Sequence, residues 1–136
     1  MKGGCLPKRD GRDLARVIAT NAERDAVAVE RMAPDHELAD DVVGLHAQQA
    51  AEKYLKAVLA HRGITYRRVH SITYLLGLLE DHEVAWPPRA AELETLTPWA
   101  PQARYDHDTG DAILDREAAV ELVGAVRAWA QDELAG

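Results

Sequence analysis

Apolar residues return to one side of the chain at the 3.6-residue period of an α-helix in five successive stretches. The first predicted helix runs from about Arg12 to Met32. Its apolar side carries Leu14, Val17, Ile18, Val29 and Met32. Asn21 and Asp25 project from that same side, where an amphipathic helix normally carries neither. They are therefore candidates for polar groups that need a partner when the helix packs.

The second predicted helix, from about Asp35 to His61, has an apolar face that covers roughly half of its circumference. A face that wide indicates contact with more than one neighbouring helix. The opposite side is a continuous polar face made of His46, Gln49, Glu52, Lys53 and Lys56. Gln48 projects at the edge of the apolar sector, which makes it a candidate for a buried hydrogen-bonding residue. Gly63 is placed to end this helix as a C-terminal cap.

Three further helices follow. The third runs from Ser71 to about Asp81, and the fourth from about Pro88 to Thr97, with an interruption or kink expected at Pro98 before a continuation towards Arg104. The last begins after an N-cap at Asp115 and reaches about Leu134. Because no segment alternates with period two, the sequence predicts an all-α, antiparallel up-and-down bundle of four to five helices. One domain over residues 10–136 is expected, after a disordered leader at residues 1–9.

Composition and net charge exclude several classes of function for this chain. The 136 residues carry a formal net charge of −7, which argues against nonspecific electrostatic binding of nucleic-acid backbones. Any contact with nucleic acid must therefore be made by a small part of the surface. The chain shows no apolar segment of the length of a signal peptide or membrane span, and we expect a cytoplasmic protein. The single cysteine, Cys5, cannot form an internal disulfide, and we expect it to be inert.

Two loops carry candidate chemistry. A basic patch follows the second helix and contains His61, Arg62, Arg67, Arg68 and His70. It suits RNA or an acidic partner, or it is a solvated loop whose cations favour the C-terminus of the second helix. The other loop contains Asp106, His107, Asp108 and Asp111, which can in principle ligate a divalent metal. Their crowding beside a glycine favours a solvated turn, so we predict no metal site.

The second helix also carries a family pattern. From His46 to Leu59 the chain reads His-Ala-Gln-Gln-Ala-Ala-Glu-Lys-Tyr-Leu-Lys-Ala-Val-Leu. This run resembles the signature helix of the HEPN (higher eukaryotes and prokaryotes nucleotide-binding) family. Val69-His70-Ser71-Ile72 resembles the family's entry to its short third helix, and Ala103-Arg104-Tyr105 resembles the element after helix four. The resemblance covers most of the chain.

This resemblance implies a four- or five-helix bundle, frequent homodimers and pairing with a minimal nucleotidyltransferase encoded alongside. We predict no cofactor. Some members are RNA-cleaving toxins whose signature is an Arg followed after four to six residues by a His. This chain departs from that pattern, because only two residues separate Arg104 from His107. Arg31 and His36 match the spacing, but away from the family's usual place, and we set them aside.

The leading hypothesis is a nucleotide- or RNA-binding HEPN module that partners a nucleotidyltransferase in a two-component, toxin-antitoxin-like system. Its expected binding residues are Arg104, Tyr105, Asp25, Gln48, Arg67, Arg68 and His70, with Arg104 and His107 as the catalytic candidates. One alternative is a noncatalytic homodimeric interaction protein in which the polar groups are purely structural. The other is a metal-independent ribonuclease toxin, in which Arg104 stabilises phosphate charge and His107 transfers a proton.

Overall fold

The structure is a computed structural model and describes residues 11–101 and 112–136. Within these ranges all regular elements are helical: α1 (Gly11–Met32), α2 (Asp40–His61), α3 (Ile72–Asp81), α4 (Ala90–Leu93) and α5 (Arg116–Ala135). A 3-10 segment, Glu94–Trp99, directly continues α4. The all-α prediction is confirmed. The leader at residues 1–9 and the predicted loop from Tyr105 to Asp111 fall outside the described residues.

The central element is α2, which packs against α1, α3, α5 and the 3-10 segment. Thirteen of its 22 residues are buried, as expected of a helix with several neighbours. Helix α5 runs parallel to α2, because Arg116 at its start contacts Asp40 and Glu133 near its end contacts Arg62. The segment from α4 to Trp99 runs between them in the opposite direction. The up-and-down arrangement therefore holds for α1, α2, this segment and α5.

Local capping signals placed three helix ends correctly. The Ser71 side chain accepts a hydrogen bond from the Tyr74 backbone N–H and begins α3, and Asp115 does the same for Ala118 in α5. Gly63, with φ of 72°, follows the end of α2, and this left-handed conformation suits glycine.

Helix α2 starts at Asp40, five residues later than predicted. The intervening turn is fixed from the far end of the sequence, because the Arg116 guanidinium donates to the backbone carbonyls of Ala33, Asp35 and Leu38. Arg116 also donates to Asp40 at 3.0 Å. The predicted fourth helix is shorter as well. It is α-helical only over Ala90–Leu93 and then tightens into the 3-10 segment that contains Pro98, whose missing N–H disfavours a longer α-helix.

The buried side of α1 differs from the predicted one. Its buried apolar residues are Ala15, Ala22, Ala26 and Val29, whereas Leu14 and Val17 remain 41% and 44% exposed. Small side chains line the contact, and the backbone of Gly11 lies against the Ala60 carbonyl, so α1 and α2 approach closely. The prediction is confirmed for Val29, and Ile18 and Met32 are half-buried, but it was wrong for Leu14 and Val17 because close helix packing favours small side chains.

A second close approach fixes the other end of α2. A Cβ atom at Gly44 would lie 2.6 Å from the Trp99 ring, so only glycine leaves room for the indole at this position. Trp99 is buried there and ties the 3-10 segment to α2. No helix in the described part of the chain is long and apolar enough to cross a membrane.

Candidate functional site

One polar stripe runs along α2. Because the spacings are three, four and three residues, His46, Gln49, Lys53 and Lys56 lie on the same side of the helix. His46 and Lys56 are ten residues apart, a rise of about 15 Å along the helix axis. Two buried carboxylates, Asp25 and Glu52, lie beneath this stripe and organise it into two clusters.

The first is the Asp25 cluster, made of Asp25, His46 and Lys53. One oxygen of the Asp25 carboxylate lies 2.9 Å from His46 Nδ1, and the other accepts a hydrogen bond from Lys53 Nζ at 2.7 Å. Because a carboxylate only accepts, His46 Nδ1 carries the proton of this bond. The imidazole is 37% exposed while the carboxylate is buried. The cluster thus presents an oriented imidazole and an ammonium group on the surface.

The second is the Glu52 cluster, made of Glu52, Gln48, Lys56 and His70. Gln48 Nε2 donates to Glu52 at 2.9 Å and Lys56 Nζ at 2.8 Å, while His70 Nδ1 lies 3.0 Å and 3.1 Å from the two carboxylate oxygens. Glu52 is only 2% exposed, whereas the His70 side chain is 41% exposed. In the described part of the chain, every buried side-chain nitrogen and oxygen has a hydrogen-bond partner.

The loop between α2 and α3 extends the Glu52 cluster. The Lys56 ammonium lies 5.7 Å from the centre of the Tyr66 ring, and the Arg67 guanidinium stacks 4.6 Å from that of Tyr74. The Tyr74 hydroxyl accepts the Arg67 backbone N–H at 3.1 Å, which lowers the pKa of Tyr74. Burial, together with the charge of Glu52, raises the pKa of Tyr66. Two aromatic rings therefore hold two cations in defined positions.

The charges around α3 are arranged against its dipole. Arg67 and Arg68 lie at the N-terminal end, where the dipole is positive, and Glu80 and Asp81 occupy the last turn, where it is negative. The two acidic residues oppose the dipole, and the arginines, which precede Ile72 by four and five residues, gain nothing from it. The position of the basic loop is therefore not explained by the needs of α3.

The structure brings several predicted site residues together. Asp25 belongs to the first cluster and Gln48 and His70 to the second, while Arg67 and Arg68 are exposed on the adjoining loop. Gln48 has no exposed surface, so it positions Glu52 instead of meeting a ligand. Arg104, Tyr105 and His107 lie outside the described residues.

Sequence analysis missed the roles of His46, Glu52, Lys53 and Lys56, which it assigned to an ordinary polar face. The available signal was the pairing of that face with Asp25 in an apolar stripe, since a buried carboxylate requires cationic or N–H partners. Among the described residues, no group of three or more His, Cys, Asp or Glu side chains is arranged to hold a metal ion.

The described residues form an all-helical bundle with a polar stripe along α2. The chain matches the family model of the HEPN domain over residues 15–133 and belongs to the HEPN domain family, which makes it a helical module of the nucleotide- and RNA-related class. No curated protein and no solved structure gives a significant match to it.

Proposed function

We propose that this HEPN-domain protein binds a nucleotide or RNA by its phosphate groups, at the Glu52 cluster and the adjoining loop. The observation that carries the proposal is the buried Glu52 carboxylate, which holds the partly exposed Lys56 and the more exposed His70 next to the loop that carries Arg67. Such a surface offers ammonium, imidazole and guanidinium groups to one anion. Phosphate is the anion that guanidinium and ammonium groups commonly recognise in nucleotide-binding proteins.

Local charge supports this proposal although the whole chain is acidic. Lys56 neutralises Glu52, so the charges of Arg67 and Arg68 remain in excess at this surface. Arg67 is already ordered against the Tyr74 ring, which reduces the entropy lost when it contacts a ligand. A preformed and locally cationic site is consistent with selective binding by a protein of net charge −7.

The cost of burying Glu52 also favours a functional role. A buried ion pair often adds no more stability than apolar side chains of similar volume would. The carboxylate nevertheless receives three side-chain partners here. We take their common effect, the fixed orientation of Lys56 and His70, as the reason for the arrangement.

Binding of fluorescein-labelled single-stranded RNA and of ATP, measured by anisotropy and calorimetry, tests the proposal. The double variant Arg67→Ala, Arg68→Ala is expected to lose about tenfold or more in affinity, because two charge-assisted contacts disappear. Arg89→Ala is the matched control, since that exposed arginine pairs with Glu92 and Glu121. Unchanged affinity in the double variant, or no binding by the wild type, contradicts the proposal.

A second candidate function is an interaction module, and the exposed apolar residues Leu14 and Val17 on α1 favour it. We propose a second copy of the chain or a minimal nucleotidyltransferase as the partner, in a cytoplasmic two-component, toxin-antitoxin-like system. Light scattering of the wild type and of Leu14→Glu tests the homodimer, and co-purification with a nucleotidyltransferase encoded alongside tests the other partner. Ribonuclease activity through Arg104 and His107 stays a prediction, and RNA cleavage that survives Arg104→Ala would contradict it.

A further inference from the structure

The two clusters on α2 are built alike. Each contains a buried carboxylate, a lysine ammonium on one carboxylate oxygen, and a partly exposed imidazole bonded through Nδ1. The proposed function uses only the Glu52 cluster. The Asp25 cluster has the same chemistry, lies on the same stripe, and has no role in that function.

The charge of each cluster depends on its imidazole. In the Asp25 cluster, Lys53 offsets Asp25, so the cluster is neutral when His46 is neutral and carries one positive charge when His46 is protonated. The same count holds for Glu52, Lys56 and His70, to which Arg67 and Arg68 add their own charges. Since Nδ1 donates to the carboxylate in both states, the second proton is gained at Nε2 without breaking a bond.

An anion bound at the Asp25 cluster therefore favours the protonated form of His46. No arginine of the 67–68 loop assists there, so this cluster relies on His46 protonation more than the Glu52 cluster does on that of His70. Binding of an anion at the Asp25 cluster should accordingly be coupled to proton uptake by His46.

We propose that the Asp25 cluster is a second phosphate subsite, and that the ligand is a single strand whose phosphates occupy both clusters. This inference rests on the proposed function of the Glu52 cluster. One phosphate at Lys56 and His70 does not reach His46, because His46 and Lys56 are separated by about 15 Å along α2 and hydrogen bonds to phosphate are about 3 Å long. Lys53 lies within one helical turn of Lys56, so His46 is the group that distinguishes the second subsite. A mononucleotide at the Glu52 cluster then leaves His46 unused, and an oligonucleotide engages both imidazoles.

Calorimetry with uridine monophosphate and with hexauridylate tests the two-subsite arrangement. Titrations at pH 6.5 in two buffers of different ionisation enthalpy give the number of protons taken up on binding. We expect hexauridylate to take up more protons than the monophosphate does. His46→Gln, which stays neutral at every pH, should remove this difference and leave monophosphate binding unchanged. His82→Gln is the matched control, because His82 is an exposed histidine at the C-terminal end of α3.

Salt dependence gives an independent measurement. Lys53→Gln should reduce the slope of log affinity against log salt by about 0.7 for hexauridylate, the value for one phosphate contact on a single strand. The slope for uridine monophosphate should fall by less, because its phosphate contacts Lys56 and His70 directly and Lys53 is only a neighbouring charge. Lys56→Gln should reduce the slope for both ligands, since its cluster binds either one.

The outcomes separate this inference from the proposed function. If His46→Gln and Lys53→Gln bind hexauridylate with wild-type affinity, proton uptake and salt slope, the second subsite is wrong. The loss of binding in Arg67→Ala, Arg68→Ala would still support the first. If the folded wild type binds neither ligand, both the proposed function and this inference are wrong. Circular dichroism melting of each variant establishes that it is folded before binding is compared.

Discussion

The Asp25 and Glu52 clusters contain the same three kinds of charged group but are assembled in different ways. Glu52, Gln48 and Lys56 share α2, and His70 joins them from the next loop. Asp25 belongs to α1, so its cluster forms only when α1 and α2 pack in one particular register. The Glu52 cluster is also the more deeply buried of the two. The Glu52 cluster is therefore assembled from residues close in the sequence, whereas the Asp25 cluster is assembled by the packing of two helices.

The largest expected effect compares the two carboxylates directly. Glu52→Ala should lower the free energy of unfolding by about 3 kcal/mol, because Gln48 and Lys56 lose their partner in a buried site. Asp25→Ala should cost only about 1 kcal/mol, because its partners are more exposed and can turn to water. Urea unfolding followed by circular dichroism measures both values. Glu52→Gln keeps an acceptor and should fall between them, and equal losses in the two alanine variants would contradict the comparison.

Arg116 offers a way to disturb one cluster alone. Arg116→Ala should cost about 2 kcal/mol, because several hydrogen bonds to the turn between α1 and α2 are lost. Release of that turn should loosen the register of α1 on α2. The NMR signals of the His46 ring should then shift, while those of His70 stay in place. A shift at His70 alone would contradict this prediction, because it would mean that the turn supports the Glu52 cluster and not the Asp25 cluster.

Glu23 is a useful reference, because it lies on α1 like Asp25 but has no imidazole partner among the described residues. It accepts the Tyr54 hydroxyl at 2.7 Å and pairs with Arg127. Burial, and then the hydrogen bond to Glu23, raise the pKa of Tyr54 above its ordinary value of 10.0. The resulting stability is fully present below pH 10 and is lost as the pH rises through the folded-state pKa.

Tyr54→Phe should therefore cost about 1 kcal/mol at pH 8. The difference from the wild type should shrink in urea unfolding at pH 10.5, since the unfolded wild-type tyrosine ionises there. A difference that grows with pH would contradict the raised pKa.

The smallest expected effect concerns the imidazoles. His46→Ala and His70→Ala should each lower the free energy of unfolding by less than about 1 kcal/mol, because both side chains are partly exposed. Thermal melting at pH 7 compares them with His82→Ala. A loss of several kcal/mol in either variant would mean that the imidazole mainly supports the fold, which weakens its proposed role in binding.

Local features of the fold were predictable from the sequence. The caps at Ser71, Gly63 and Asp115 depend on neighbouring residues, and the structure confirms all three. The start of α2 was placed wrongly, because Arg116 fixes the preceding turn from more than 75 residues away. On α1 the burial of Val29 was predicted correctly, but that of Leu14 and Val17 was predicted wrongly, because helix packing buried alanines instead.

The candidate site was likewise predictable from the sequence only in part. The burial of Gln48 followed from its position at the edge of the apolar face of α2, whereas the contact of His70 with Glu52 did not follow from its place in the basic loop. The pairing of Asp25 with His46 and Lys53 did not follow, because residues 21 and 28 positions apart meet only through tertiary packing. Periodicity identifies a face of one helix, but it does not state which residue of another helix lies opposite.

The charges at the two ends of α3 have a consequence for local dynamics. Glu80 and Asp81 in the last turn oppose the helix dipole, so apart from the Ser71 cap α3 is held mainly by its buried leucines. Its amide protons should exchange with solvent faster than those of α2. An anion bound by Arg67 and Arg68 would order the loop that precedes α3 and slow that exchange. Helix α3 would then report occupancy of the loop through its hydrogen-exchange rate.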